Sequence, residues 1–229
     1  MNWFIAILLF ALPILTAAQQ PHHERPDEPQ VLAPGYSELK FPAPPAGSYS
    51  LPSLGNAADG ELVDSTGKNA TLHALYEGKT IVLSFIYTAC PDVNGCPLAT
   101  FVLSRVQRRL SSDERLNDKV RLLTVSFDPV NDSPQAMASY ARSFRRGDVD
   151  WRFLTAMSEE SLAPILENYD QAVIRDRDPD GRQIGTMSHI LRVYLIDREK
   201  KIRNIYSPSF LHPDILLADI RTVTDADMR

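Results

Sequence analysis

Two continuous apolar runs constrain the fold of this chain most strongly. Residues 80–87 (TIVLSFIY) and residues 120–127 (VRLLTVSF) are rich in β-branched and aromatic side chains, and neither alternates regularly between apolar and polar. A strand with one face in water alternates, whereas a nearly continuous run has to be covered on both faces. The two runs therefore predict buried strands in a sheet that is flanked by helices.

The segments around these strands predict the remaining elements. Apolar residues at helical spacing follow Pro97, and a proline is favourable in the first turn of a helix. Asp132-Ser133-Pro134 supplies a cap and a first-turn proline, and Ser158 begins another capped helix. The predicted helices cover residues 97–110, 134–144, 158–169 and 213–223, and further strands cover 151–155, 190–196 and 201–206. With a short hairpin that turns at Gly67, this order predicts a small α/β domain with a mixed central sheet.

The first fifty residues differ in composition from the rest. The apolar run from Trp3 to Leu15 is shorter than the roughly 20 residues that a membrane-spanning helix needs, and small residues follow at Thr16 and Ala18. Residues 1–18 therefore predict a secretory signal cleaved after Ala18, with an uncleaved membrane anchor as the alternative. Residues 19–50 are rich in proline and poor in large apolar side chains, which predicts a linker before a domain at residues 51–229.

The charge of the chain argues against one class of partner. The formal net charge is −5 and the pI is near 5.5. Binding to phosphate backbones requires a basic surface. We therefore expect no nucleic-acid partner, and contact with a membrane only through an uncleaved amino-terminal segment.

Cys90 and Cys96 are the only cysteines, and they lie between the first strand run and the helix after it, in SFIYTACPDVNGCPLATF. Cys96 is expected near a helix amino terminus, where free N–H groups and the helix dipole favour a thiolate. The pair can be a structural disulfide, a redox couple or part of a metal site. A disulfide across five intervening residues closes a short loop and stabilises the fold little, so the spacing favours chemistry over a structural bridge.

This segment resembles the copper-site loop of the Sco/SenC family, thioredoxin-like copper chaperones that help to load the copper centre of cytochrome oxidase. The resemblance extends over roughly residues 51–223. It rests on Ser84-Phe-Ile-Tyr-Thr-Ala-Cys-Pro-Asp-Val with the following Cys-Pro, Gly78-Lys79, Thr124-Val-Ser-Phe-Asp-Pro with Asp132-Ser-Pro, and His189 ahead of Tyr194-Leu-Ile-Asp.

The resemblance implies a thioredoxin-like fold and a periplasmic location. By matching position, it also implies copper binding by Cys90, Cys96 and His189. The usual loop of the family has three residues between the cysteines, and Asn94 and Gly95 lengthen it to five in this chain.

Two thiolates and an imidazole also suit copper on chemical grounds. They are soft and borderline ligands that fit three-coordinate Cu(I), whereas zinc normally takes a fourth ligand. Asp92 and Asp128 resemble acidic positions of the family and are expected to hold the loop, to tune the thiols or to act as turn and cap residues. We expect Met187 to serve in packing, and His73 and His212 to have surface or capping roles.

These observations predict a copper-binding assembly factor that delivers a copper ion to a cytochrome oxidase subunit, or to another cuproprotein client, outside the cytoplasm. The first alternative is a thiol–disulfide oxidoreductase or peroxide-reducing enzyme with Cys90 as nucleophile and Cys96 as resolving thiol. The second alternative is a structural module with permanently bridged cysteines. The cysteine spacing is wider than the Cys-x-x-Cys of thioredoxins, which favours a metallochaperone over an enzyme.

Overall fold

The computed structural model describes residues 30–182 and 184–226. The chain divides into two compact units, residues 1–31 and 32–229, and nearly all described residues belong to the second unit. The predicted signal or anchor at residues 1–18 and the first part of the predicted linker lie outside the described residues. Within the described ranges, no helix is long and apolar enough to cross a bilayer.

Strands and helices alternate along the described chain. The strands are β1 Gly55–Asn56, β2 Glu61–Asp64, β3 Asn69–Thr71, β4 Thr80–Ile86, β5 Val120–Ser126, β6 Trp151–Thr155, β7 Val173–Ile174, β8 Ser188–His189, β9 Val193–Ile196 and β10 Lys201–Tyr206. The helices are α1 Leu72–Tyr76, α2 Cys96–Ser111, α3 Pro134–Phe144, α4 Glu159–Asn168 and α5 Pro213–Ala226. A 3-10 turn at Pro34–Tyr36 precedes them.

Eight of the strands form one mixed sheet, in the order β1-β10-β9-β4-β5-β6-β2-β3. Strands β4, β5 and β6 are parallel to one another, and the remaining strands pair antiparallel with their neighbours. Strands β7 and β8 form a separate two-stranded ribbon. The architecture confirms the predicted α/β class with a mixed central sheet and a thioredoxin-like fold.

The two continuous runs occupy the middle of this sheet. Every residue of β4 and β5 is buried, and the strands pair in register from Thr80 opposite Val120 to Ile86 opposite Ser126. Helices α2 and α5 contact each other and both pack on β4, while α3 packs on β6 and α4 on β2. Because helices and neighbouring strands cover them completely, the central strands have no alternation of apolar and polar residues.

The helix starts follow the predicted local signals. Pro97 lies in the first turn of α2. The Ser133 side chain accepts a hydrogen bond from the Ala136 N–H at the start of α3, and Ser158 forms a reciprocal capping box with Ser161 at the start of α4.

The strand predicted over residues 190–196 is shorter in the structure, and a separate strand precedes it. The short strand β8 ends at His189 and pairs with β7, and β9 begins only at Val193. The buried side chain of Gln171 donates a hydrogen bond to the Ile190 carbonyl at 2.6 Å, so this backbone group is satisfied outside a strand ladder. His189 therefore lies on a separate ribbon.

Residues 32–50, which lie in the predicted linker, belong to the same compact unit as the domain. The Tyr49 hydroxyl donates to Asp219, and the Gly47 N–H donates to Thr222 Oγ1 at 2.9 Å. These contacts use single hydroxyl and backbone groups. The composition of the segment could not predict them, because it contains no run of large apolar residues.

We predict that the central strands carry much of the stability. Leu123→Ala in β5 removes a fully buried side chain and should lower the free energy of unfolding by about 2–5 kcal/mol. The matched control is Leu54→Ala, because Leu54 is 55% exposed, and this change should cost less than about 0.5 kcal/mol. Urea unfolding of both variants checks the difference, and equal losses would contradict it.

Candidate metal centre

Cys90 follows the carboxyl end of β4, where a buried carboxylate fixes the backbone. Asp132 accepts hydrogen bonds from the Thr88 N–H at 3.0 Å and from the Thr88 hydroxyl at 2.5 Å. The Ser126 hydroxyl at the end of β5 also donates to Asp132, at 2.5 Å. Because Thr88 lies two residues before Cys90, this network sets the direction in which the chain enters the cysteine loop, residues 91–95.

Cys96 is the first residue of α2 and is completely buried. Its sulfur accepts a hydrogen bond from the Tyr87 N–H at 3.4 Å. The Gly95 N–H before it donates to the Asp92 carbonyl at 3.0 Å, which closes the cysteine loop. Both cysteines are free thiols.

His189 reaches the cysteines from the β7–β8 ribbon, where it pairs with Val173. Its ring packs against Phe127, with centroids 4.9 Å apart, and meets Tyr87 edge-on at 5.9 Å. Arg175, which follows β7, donates to the Phe127 carbonyl and so ties the ribbon to the end of β5. The aromatic contacts direct Nε2 of His189 toward the sulfur atoms.

The three predicted side chains converge. Nε2 of His189 lies 3.8 Å from Sγ of Cys90 and 3.4 Å from Sγ of Cys96, and the three ligand atoms lie within 4.8 Å of one another. With metal–ligand bonds of about 2.0 Å to nitrogen and 2.3 Å to sulfur, a three-coordinate ion would hold nitrogen and sulfur about 3.7 Å apart. The observed spacing therefore matches a three-coordinate site with little rearrangement.

The two thiols differ in acidity. Hydrogen bonding from Cys96, helped by His189, lowers the pKa of the partly exposed Cys90 to about 4, although partial burial opposes this effect. Burial raises the pKa of Cys96 far above its ordinary value, and bonding to Cys90 raises it further. Cys96 was expected to be the acidic thiol at the helix end, and this expectation is wrong because burial dominates. Cys90 is therefore the more acidic thiol of the pair.

Tyr87 is a site residue that the sequence analysis did not single out. It is 4% exposed, and its ring contacts the His189 ring edge-on. Burial, followed by the charge of Cys90, raises the pKa of Tyr87 to about 12, so the phenol stays protonated. Tyr87 therefore lines the site beside the imidazole as a neutral phenol, and its position directly after β4 was the available signal.

The two predicted acidic residues lie outside the three-ligand cluster. Asp92 shapes the cysteine loop, because its Oδ1 accepts from the Asn94 N–H at 2.9 Å. Asp128 is buried and accepts from the Asn131 side chain at 2.8 Å, which fits its predicted alternative as a turn residue. The sequence predicted Asp132 only as part of a helix cap. In the structure Ser133 caps α3, and Asp132 instead accepts the hydrogen bond from the Thr88 N–H.

The remaining candidates have the structural roles expected of them. Nε2 of His73 lies 2.9 Å from the Ala57 carbonyl. His212 accepts from the Asp214 N–H at 3.1 Å in the first turn of α5. Met187 is buried within the hydrophobic core.

A thioredoxin-like domain that brings two free thiols and a distant imidazole together at the carboxyl ends of its central strands is a domain suited to thiol or metal chemistry. A family model described as SCO1/SenC matches residues 56–225. The chain belongs to this family.

Individual relatives agree with this assignment. A SCO1 protein homolog of Bacillus subtilis is 25% identical over 159 residues, which cover 69% of this chain and 77% of that protein. The structure of Bradyrhizobium japonicum ScoI with copper bound is 28% identical, with a TM-score of 0.56 and coverage of 71% of this chain and 99% of that one.

A third relative extends the comparison of the fold. BsSco is described as a member of the Sco family of cytochrome c oxidase assembly proteins with a disulfide switch. Its structure is 24% identical, with a TM-score of 0.59 and coverage of 76% of this chain and 97% of that one. The central architecture is therefore shared at low sequence identity.

We predict that the two thiols react very differently with iodoacetamide. Because the pKa of Cys90 is about 4, its thiolate is fully formed from pH 6 to pH 8 and its alkylation rate should change less than about twofold over this range. Buried Cys96 should react only after unfolding. Cys96→Ala removes the largest cause of the low pKa, so the rate at pH 6 should fall. Mass spectrometry of peptides checks each site, and a tenfold fall per pH unit in the unmodified protein would contradict the assignment.

We also predict that Asp132 stabilises the start of the cysteine loop. Asp132→Asn replaces one acceptor oxygen with a donor that faces Thr88 and Ser126, and should lower the free energy of unfolding by about 1–3 kcal/mol. The exposed Asp118→Asn is the matched control and should change it by less than about 0.5 kcal/mol. Thermal and urea unfolding measure both changes, and similar effects would count against the assigned role.

Proposed function

We propose that this protein is a copper-binding assembly factor in which Cys90, Cys96 and His189 hold a copper ion in transit to a client protein. The observation that carries the proposal is the convergence of one nitrogen and two sulfur atoms within 4.8 Å of one another. The two sulfur atoms come from a loop and from the helix start that follows it, whereas the nitrogen comes from a separate ribbon 93 residues after Cys96.

The chemistry of the ligands supports copper. Two thiolates and an imidazole form a soft set that suits Cu(I) in three-coordinate form. A closed zinc site takes four ligands, and within the described ranges the only group of three or more potential His, Cys, Asp or Glu ligands is this one. Binding a cation also requires the loss of the Cys96 proton, which makes affinity dependent on pH.

The relatives support the same function. The Bradyrhizobium japonicum relative has copper bound, and BsSco is described within a family of cytochrome c oxidase assembly proteins. We propose that the client of this protein is likewise a copper-containing cytochrome oxidase subunit or another cuproprotein. Transfer takes place outside the cytoplasm, in the periplasm, after residues 1–18 direct export or anchor the chain.

The structure of the site supports transfer by ligand exchange. Cys90 is partly exposed, whereas Cys96 is buried. An incoming client thiolate can therefore replace Cys90 first, while Cys96 still holds the ion. A three-ligand site suits release, because a fourth fixed ligand would slow each exchange step.

The proximity of two free thiols favours a second candidate function. Cys90 can attack a client disulfide as the thiolate and form a mixed disulfide with release of one client thiolate. Cys96, on losing its proton, then attacks the Cys90 sulfur and releases the second client thiolate. The two client sulfurs gain two electrons, and the cysteine pair is oxidised to a disulfide. This reaction does not require the His189 ring as a ligand.

We predict that loss of any proposed ligand abolishes tight copper binding. Anaerobic Cu(I) titration of the reduced full chain against a competing chelator should show one ion per chain. Cys90→Ala, Cys96→Ala and His189→Ala should each weaken binding by more than about 100-fold, because loss of outer partners alone costs about 10- to 100-fold at metal sites.

The matched control is His73→Ala, which removes an imidazole that lies against the Ala57 carbonyl. This variant should bind copper as the unmodified protein does. Normal binding by all three ligand variants would exclude the proposed site. Disulfide reduction that survives His189→Ala, in a protein without copper affinity, would favour the second candidate.

A further inference from the structure

A short amino-terminal segment contacts the cysteine loop directly. We call residues 33–37 the strap, and residues 91–95 the cysteine loop. The Tyr36 hydroxyl donates a hydrogen bond to the Val93 carbonyl. The Ala33 N–H donates to the Asn94 side-chain oxygen at 2.7 Å. The strap therefore holds the middle of the loop from two points.

The strap is itself fixed to the body of the domain. Gly35 is buried, and a Cβ at this position would lie 2.3 Å from the Leu211 carbonyl oxygen, so the backbone is closely fitted there. The Tyr36 ring packs on Phe101 of α2, with centroids 5.0 Å apart. The Ser37 carbonyl lies 3.0 Å from Nε2 of the buried His212. The strap can therefore act as a rigid support.

The two sulfur atoms and the imidazole nitrogen are held in place by different parts of the fold, and not equally firmly. Cys96 is fixed by the buried start of α2, and His189 is held by the ribbon and by Phe127. Cys90 lies on the irregular segment between β4 and α2, six residues before Cys96. Its sulfur therefore stays beside the other two ligand atoms only if the cysteine loop keeps its shape.

We propose that Tyr36 and Asn94 are positioning residues for the dithiol site, through which the strap holds the cysteine loop and keeps Cys90 beside Cys96 and His189. The copper part of this inference rests on the proposed function, while its thiol part does not. The hydrogen bonds of Tyr36 and Asn94 described above join the strap to the cysteine loop. Their effect is transmitted through Val93 and the loop backbone.

Loss of one such hydrogen bond has a predictable size. A single net hydrogen bond corresponds to roughly a 2- to 10-fold change in an equilibrium constant. We expect Tyr36→Phe and Asn94→Ala each to weaken Cu(I) binding by about fivefold. Asn94→Ala leaves the backbone N–H of residue 94 bonded to Asp92, so the loop retains that turn.

The same variants should change the dithiol–disulfide equilibrium. Oxidised glutathione takes two electrons and two protons from Cys90 and Cys96, which gives one protein disulfide and two reduced glutathione molecules. The equilibrium constant measures how often the two sulfurs meet in the folded chain. A released loop lowers their effective concentration, so each variant should form the disulfide about fivefold less favourably.

Tyr49→Phe is the matched control. It also removes one tyrosine hydroxyl from the amino-terminal segment, but that hydroxyl donates to Asp219 in α5 rather than to the cysteine loop. It should lower the midpoint of thermal unfolding about as much as Tyr36→Phe does. Copper affinity and the glutathione equilibrium should remain those of the unmodified full chain.

The outcomes separate the two proposals. If Tyr36→Phe leaves both equilibria unchanged, or if Tyr49→Phe shifts them equally, the strap is only structural and the inference is wrong. If the unmodified protein binds no copper, the proposed function fails, and the glutathione equilibrium alone decides whether the strap positions the thiols. A more favourable disulfide in Tyr36→Phe would also overturn the inference.

Discussion

The parallel pairing of β4 with β5 is the constraint on which the candidate site depends. Its register places Ile86 opposite Ser126, so the next residues, Tyr87 and Phe127, emerge side by side with ring centroids 5.3 Å apart. Both rings contact His189. A shift of one residue in the register would turn these side chains to the opposite face of the sheet, and the imidazole would lose its support. The site is thus a consequence of strand pairing in the core.

Polar groups at the same two strand ends share one buried hydrogen-bond acceptor. Ser126 at the end of β5 and Thr88 after β4 both donate to Asp132, which is buried. A buried carboxylate requires such donors, because an unpaired charge is costly away from water. The hydrogen bonds that satisfy Asp132 therefore also join the two strand ends, and the cysteine loop starts from a fixed point.

Much of the fold could be predicted from the sequence because its signals are local. The continuous runs, the serine caps and the first-turn prolines each depend on residues within a few positions of one another.

The convergence of His189 with Cys90 and Cys96 is a long-range contact, and only the resemblance to a family indicated it. The strap was missed for a related reason: the Tyr36 hydroxyl and the Ala33 N–H each make a single contact with the cysteine loop, and composition does not register single contacts. The helix start predicted a lowered pKa for Cys96, but burial raises it, and burial cannot be predicted from a position at a helix start.

The three proposed ligand residues lie on supports of different rigidity, and this difference fits the proposed transfer of copper. Cys96 is buried at the start of a 16-residue helix, so its sulfur has a nearly fixed position. His189 lies on a ribbon of two short strands, and Cys90 lies on an irregular segment that is partly exposed. A site with three rigid ligands would bind tightly and exchange slowly, whereas three mobile ligands would pay a large ordering cost on binding. With Cys96 fixed in the buried helix start and Cys90 partly exposed, a bound ion could stay attached at Cys96 while the bond to Cys90 is exchanged. This arrangement fits the proposed transfer of copper better than permanent storage.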